Sequence, residues 1–197
     1  FTLHFPHAKT VLDCTYGTGR FWKWDHNLTV VGMDLDPSSP APIIADYKNL
    51  PFPSQSFDVM IFDPPFLFGK SKGLRRIIGT KRFFCGSEDA DVGSRTHSKA
   101  PIIKPKNPAD LLLHYERIFQ QRQISRSGLV CKGQDLIVGS SSDWWSFHLY
   151  NLALESNMGE PTDLLLQVSP APRIRDPRWQ KQHFFRRHHA IYLVWKW

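Results

Sequence analysis

The sequence is poor in cysteine: Cys14, Cys85 and Cys131 are the only three in 197 residues, an odd number with no CxxC spacing. That argues against a disulfide framework and against a zinc knuckle, and a reduced, cytoplasmic setting is the expectation. Long apolar runs are missing as well; none approaches the roughly 18 residues needed to cross a bilayer. The opening stretch FTLHFPHAKT lacks a basic start, an apolar core and a small-residue cleavage site, so no secretory signal is read there. Internal repeats and a domain linker are also lacking. With 41% hydrophobic residues, the expectation is a single domain over 1–197 with a full core.

What is present in excess is positive charge, and it is clustered. The net charge is +7, yet residues 67–108 carry ten Lys/Arg against three Asp/Glu, and residues 170–197 carry seven against one. The rest of the chain sums to −6. Two basic blocks on an acidic body point to a polyanionic partner, nucleic acid being the usual one. Aromatic residues interleave with the charges in KRFF, RW and HFFRRHH. Such rings can stack on bases.

Short apolar, β-branched runs ending in acids dominate the first third of the chain. Residues 9–12 end in Asp13, 28–37 contain Asp34, 41–47 contain Asp46, and 56–66 contain Asp63. Near-continuous apolar runs of this kind suit strands buried on both faces of a parallel sheet, with ligands at the carboxyl ends. Residues 67–108 then lose all periodicity, and an insert of about 40 residues in a compact domain usually serves as a lid or binding loop. The stretch 107–123 reads as a helix with Asn107 as cap and Pro108 at its first position. A fifth strand is expected over 128–135 and a second helix over 141–156, with a Ser or Asp cap. TDLLLQVSP and HAIYLVWKW read as closing strands, an antiparallel hairpin around the basic loop 169–188.

Asp13, Gly17 and Gly19 are spaced D-x-x-x-G-x-G at a strand-to-turn junction, where glycines let backbone approach a ligand closely. A dinucleotide fingerprint needs a third glycine three residues on, and Trp22 stands there instead. Asp34, at the end of the next strand, is placed to accept the hydroxyls of a ribose. Asp46 can accept a hydrogen bond from an adenine amino group. The fourth strand ends in FDPPF, residues 62–66. Pro64 and Pro65 fix their own φ and restrict the residues before them. The result is a rigid turn that presents the carboxylate of Asp63 and the ring of Phe66. Lys132 and Gln134, in VCKGQD, are expected beside that turn on the neighbouring strand.

With LDCTYGTG, VVGMDLDP, ADYKNLPFPSQSFDVMIFDPPF and GLVCKGQD in this order, the chain resembles the class I S-adenosylmethionine-dependent methyltransferases. More narrowly, it is similar to the DPPF-type amino-methyltransferases of DNA, which act on adenine N6 or cytosine N4 and carry [D/N/S]-P-P-[Y/F/W] after the fourth strand. The resemblance implies a Rossmann-like, mostly parallel sheet of order 3-2-1-4-5-7-6, strand 7 antiparallel, with helices on both faces. It implies S-adenosyl-L-methionine as cofactor, held by Asp13, Thr15, Tyr16, Gly17, Gly19, Asp34, Leu35, Asp46 and Tyr47. It implies Asp63, Pro64, Pro65 and Phe66 as the catalytic group: acceptors for the exocyclic amine, held still by the prolines, and a ring for the target base. The sulfonium methyl is already activated, so no metal is needed.

Phosphate contacts are expected from Arg75, Arg76, Lys81 and Arg82 in the insert, which leaves the sheet beside the target pocket, and from Arg173, Arg175, Arg186 and Arg187 in the second block. DNA stands ahead of RNA as partner, and adenine ahead of cytosine. The same chemistry on RNA or cytosine N4, a protein-amide methyltransferase and a silent cofactor-binding subunit remain as alternatives.

Overall fold

The apolar runs become strands because they are covered on both sides: Val11, Leu12, Val59 and Met60 are all fully buried. A computed structural model of the chain describes residues 3–23, 26–64, 108–134, 136–138, 141–168 and 189–197. Its strands are β1 (Thr10–Asp13), β2 (Thr29–Asp34), β3 (Ile43–Ile44), β4 (Phe57–Phe62) and β5 (Ser125–Gly133). A small hairpin follows, β6 (Leu136–Val138) against β7 (Ser141–Asp143), and the chain closes with β8 (Asp163–Val168) and β9 (His189–Lys196). The main sheet has seven strands in the order β3-β2-β1-β4-β5-β9-β8. Its first five strands are mutually parallel, whereas β9 runs antiparallel to both β5 and β8. This is the Rossmann-like order 3-2-1-4-5-7-6 with a reversed seventh strand.

Alternation along the strands divides the core in two. Leu12, Met60, Leu129 and Trp195 face one side and pack under α1 (Pro108–Gln120) and α2 (Trp145–Glu155). α1 lays down Leu111, Tyr115, Ile118 and Phe119, spaced i, i+4, i+7 and i+8, and α2 lays down Trp145, Leu149 and Ala153. That spacing is one stripe of a 3.6-residue helix. Val11, Val59, Val130 and Val194 face the other side, where Phe5 and Trp22 cover them. Trp22 comes from a short 3-10 turn, Arg20–Trp22. Among the described residues, therefore, both α-helices lie on one face of the sheet, and loop aromatics close the other.

Three boundaries differ from the sequence expectation. β3 shrinks to Ile43–Ile44, since Pro42 has no N–H to give to a ladder. β5 begins at Ser125, because a 3-10 turn, Arg122–Ile124, leads directly into it. α2 does not begin with a Ser or Asp cap. Residues 141–143 pair with β6 instead, Trp144 stands at the N-cap, and no side chain caps the helix. Pro108 does open α1. Asn107, the insert 67–107 and the loop 169–188 lie outside the described residues, and with them Arg75, Arg76, Lys81, Arg82, Arg173, Arg175, Arg186 and Arg187. Among the described residues no helix is long and apolar enough to cross a membrane.

Candidate active site

The loop after β1 is tied down at both ends by carboxylates. Asp13 is buried; its Oδ1 accepts the Thr15 N–H at 3.0 Å and its Oδ2 accepts the Trp22 indole N–H at 2.7 Å. Burial pushes the Asp13 carboxyl up to about 6, against the pull of those donors, with Asp63 and Asp34 adding to the rise. Trp22, at the place of a third glycine, is thus a fastener for Asp13. Gly17 and Gly19 both adopt left-handed backbone, φ 57° and 68°, a region where a side chain is strained. The Gly17 N–H donates to Asp34 Oδ2 at 2.8 Å, and the Ser39 hydroxyl donates to the Gly17 carbonyl at 2.6 Å. Asp34 Oδ1 accepts the Asp36 N–H at 2.9 Å. The glycine turn is therefore held against the end of β2.

Tyr16 lies flat on that arrangement. Its N–H donates to the Met33 carbonyl at 3.0 Å, and its ring covers Gly32 so closely that a Cβ there would stand 2.2 Å from the ring. Leu35 follows Asp34 and is half-buried. Asp46 stands two residues past β3, where its carboxylate accepts the Lys48 N–H at 2.8 Å and meets the Lys48 ammonium at 3.6 Å. Tyr47 turns inward. Its hydroxyl lies 2.8 Å from His114 Nδ1, and its ring meets Phe62 edge-on at 5.0 Å. Burial lowers the His114 imidazole below its ordinary value, and the Asp110 carboxylate opposes that shift.

Asp63 is positioned from three directions. Phe62, just before it, is clamped between the rings of Tyr47 and Tyr115, both edge-on, at 5.0 and 5.1 Å. The Asp63 N–H donates to Thr15 Oγ1 at 2.8 Å, which links the end of β4 to the glycine loop. The Asp63 carboxylate receives the Lys132 ammonium at 2.7 Å on Oδ2. Lys132 itself is fixed from below, because the Tyr115 hydroxyl donates to its backbone carbonyl. Burial raises the Asp63 carboxyl above the ordinary range, and the Lys132 ammonium works against the rise. Pro64 is buried directly behind; Pro65 and Phe66 lie outside the described residues.

The structure thus joins Asp13, Thr15, Tyr16, Gly17, Gly19, Asp34, Asp63 and Lys132 into one cluster at the carboxyl ends of β1, β2, β4 and β5. Asp46 stays on the rim, and the Tyr47 side chain serves the core. Sequence reading missed Gly32, Ser39, His114 and Tyr115. Of these, a lone glycine inside a β-branched strand was the readable signal, since it marks a close approach.

No protein-family model and no curated protein matches the chain. Among solved structures the chain is similar to the PH0226 protein from Pyrococcus horikoshii OT3, at 11% identity and TM-score 0.49, over 99% of this chain and 84% of that one. A SAM-dependent methyltransferase from Leishmania major aligns at 13% identity and TM-score 0.45, over 95% of this chain and 64% of that one. A proposed rRNA methylase from Clostridium thermocellum aligns at 12% identity and TM-score 0.38, over 95% and 88%. At these values none of them lends this chain a residue or a substrate.

Proposed function

We propose that the chain is an S-adenosyl-L-methionine-dependent methyltransferase acting on an exocyclic amine of a nucleic-acid base, with adenine N6 in DNA as the leading substrate. The observation that carries this reading is the bond from the Asp63 N–H to Thr15 Oγ1, which ties a proline-stiffened acceptor to the glycine loop at 2.8 Å. Acceptor and cofactor loop are thereby one rigid unit.

The residues present fit the cofactor. The backbone at Gly17, where an added Cβ would meet nothing nearer than the Thr15 carbonyl at 3.8 Å, leaves an open surface suited to the amino-acid end of the molecule, while the Tyr16 ring covers Gly19 beside it. Asp34 already accepts an N–H on each oxygen, and a carboxylate oxygen accepts two, so it has room for ribose hydroxyls. Asp46 on the rim suits the adenine amine, and half-buried Leu35 offers an apolar flank. When bound, S-adenosylmethionine supplies a methyl activated on a sulfonium.

The chain's own part is to present the nucleophile. The lone pair of an exocyclic amine is delocalised into its ring. The Asp63 carboxylate and the Pro64 carbonyl accept its two N–H bonds and draw the nitrogen toward sp³, which frees the lone pair. Acceptors fixed in advance cost no reorganisation in the transition state. Once methylated, the nitrogen carries a positive charge and releases one proton to solvent, which reaches the site at the partly exposed Asp63 carboxylate. An acid at position 63 favours adenine, and the basic blocks 67–108 and 170–197 favour nucleic acid over protein amides.

The test is methyl transfer from radiolabelled S-adenosylmethionine to unmethylated DNA and to RNA, followed by nucleoside analysis. N6-methyladenine in DNA is the expected product. Label only in RNA or in N4-methylcytosine overturns the substrate assignment, and no label in any nucleic acid overturns the reading.

A further inference from the structure

We propose that Lys132 is a positioning residue that keeps the Asp63 carboxylate ionised and aimed, so that the target amine meets an anionic acceptor and not a neutral acid. This rests on the reading of Asp63 as the amine acceptor.

The geometry is built into adjacent strands. Cys131 of β5 is in register with Phe62 of β4, so Lys132 and Asp63 stand one step further along the same pair. The Lys132 backbone is held on both sides, by the Tyr115 hydroxyl and by its pairing with Tyr192 of β9. Its ammonium reaches Asp63 Oδ2 at 2.7 Å, with side-chain exposures of only 25% and 29% for the two partners. A contact this short and half-dry is a charge-assisted hydrogen bond, about twice as strong as a neutral one. It also occupies one acceptor position of a carboxylate that has about four. The others remain for an incoming amine.

The other groups around Asp63 cannot do this work. Asp13, from β1, is a second carboxylate, and Asp63 raises its proton affinity, so it offers no positive charge to Asp63. Tyr192, from β9, and Tyr115, from α1, interact with it as phenols that burial keeps neutral, Tyr192 being pushed to about 12. Thr15 contributes a hydroxyl to the backbone only. Among the described residues, Lys132 is the cation in contact with Asp63. Remove it and a partly buried carboxyl is left beside another carboxyl, which favours the protonated form. A protonated carboxyl offers a donor where the amine also offers donors. The lysine therefore separates a productive encounter from a mismatched one without touching the substrate.

The test is the titration of Asp63 followed by carbon NMR in protein labelled at aspartate, in the wild type, Lys132→Met and Lys132→Arg. Opposite charges at this range lower a carboxyl by about 1–3 pH units, so Lys132→Met should raise the Asp63 midpoint by that much. Lys132→Arg should stay near wild type. The acidic limb of kcat/KM for methyl transfer should move upward with the midpoint in Lys132→Met, with activity returning at higher pH. An unmoved midpoint in Lys132→Met overturns the proposal, as does a limb that stays in place while the midpoint moves. Should Lys132→Met fail to fold, Lys132→Gln gives the same readout with a polar, neutral side chain. The titration needs no substrate. A protein that methylates no nucleic acid would sink the proposed function, while the NMR midpoint still decides on Lys132.

Discussion

Replacing Thr15 by valine takes away one oxygen and leaves the shape of the side chain nearly unchanged. That oxygen accepts the Asp63 N–H at 2.8 Å, and it does so where both residues are half-buried. The loss of an ordinary hydrogen bond costs about 1 kcal/mol, and leaving a buried donor unpaired costs about 1–3. Solvent reaches the Asp63 carboxylate, so water can partly replace the hydroxyl, and a loss of about 1–2 kcal/mol is expected. Urea unfolding should therefore show a lower midpoint at unchanged slope. Catalysis should suffer more than stability, because the same bond sets the distance between loop and acceptor; a shift of about 1 Å can cost on the order of 100-fold in rate. Thr15→Ser keeps the oxygen and should keep both properties. A valine variant as stable and as active as wild type would refute the claim that this bond positions Asp63.

Gly32→Ala puts a Cβ 2.2 Å from the Tyr16 ring and should destabilise by about 1–3 kcal/mol, relieved by Tyr16→Ala in a double-mutant cycle. Asp58 braces the amino ends of the central strands, joining β4 to β1 through Lys9 and Thr10 and to β5 through Arg126. Partial burial acts to raise its carboxyl, but donors from Lys9, Thr10 and Arg126 outweigh it and hold the group at about 2. Its contribution is therefore in place above about pH 4 and is lost as pH falls toward 2; after solvent screening it is on the order of 1–2 kcal/mol, measured as the difference from Asp58→Asn across that range. Asp13 titrates with the opposite sign. Burial raises it to about 6, so the native state binds the extra proton and stability should fall by on the order of 3 kcal/mol between about pH 4 and pH 6. Asp13→Asn should remove that slope, and an identical slope in the variant would contradict the account.

The strand ends were legible because burial writes itself as apolar runs, and because acids and glycines interrupt those runs where the chain leaves the core. Asp13, Asp34 and Asp63 were all placed correctly at carboxyl ends on that basis. What failed were features decided by a partner distant in sequence. Residues 141–143 carry good helix-cap chemistry, yet they pair with Leu136–Val138, a preference that local spacing does not encode. The fastening of Asp13 by Trp22 was hidden for the same reason; an indole at the position of a missing glycine reads as a defect in one dimension and as a donor in three. The contacts of the Tyr47 side chain were hidden likewise: its ring meets Phe62, and its hydroxyl meets His114, which lies 67 residues away. Lys132 was legible only as a neighbour of the DPPF turn. Its ion pair with Asp63 depends on the β4–β5 register.

The central claim, that Asp63 presents an amine to an activated methyl, is tested most directly by single-turnover methyl transfer in the wild type and Asp63→Ala. S-adenosylmethionine binding should be followed by calorimetry in the same preparations. The account predicts cofactor binding in both proteins, with N6-methyladenine formed in DNA by the wild type alone. Methyl transfer by Asp63→Ala at a rate near wild type, or a wild-type protein that does not bind the cofactor, would contradict it.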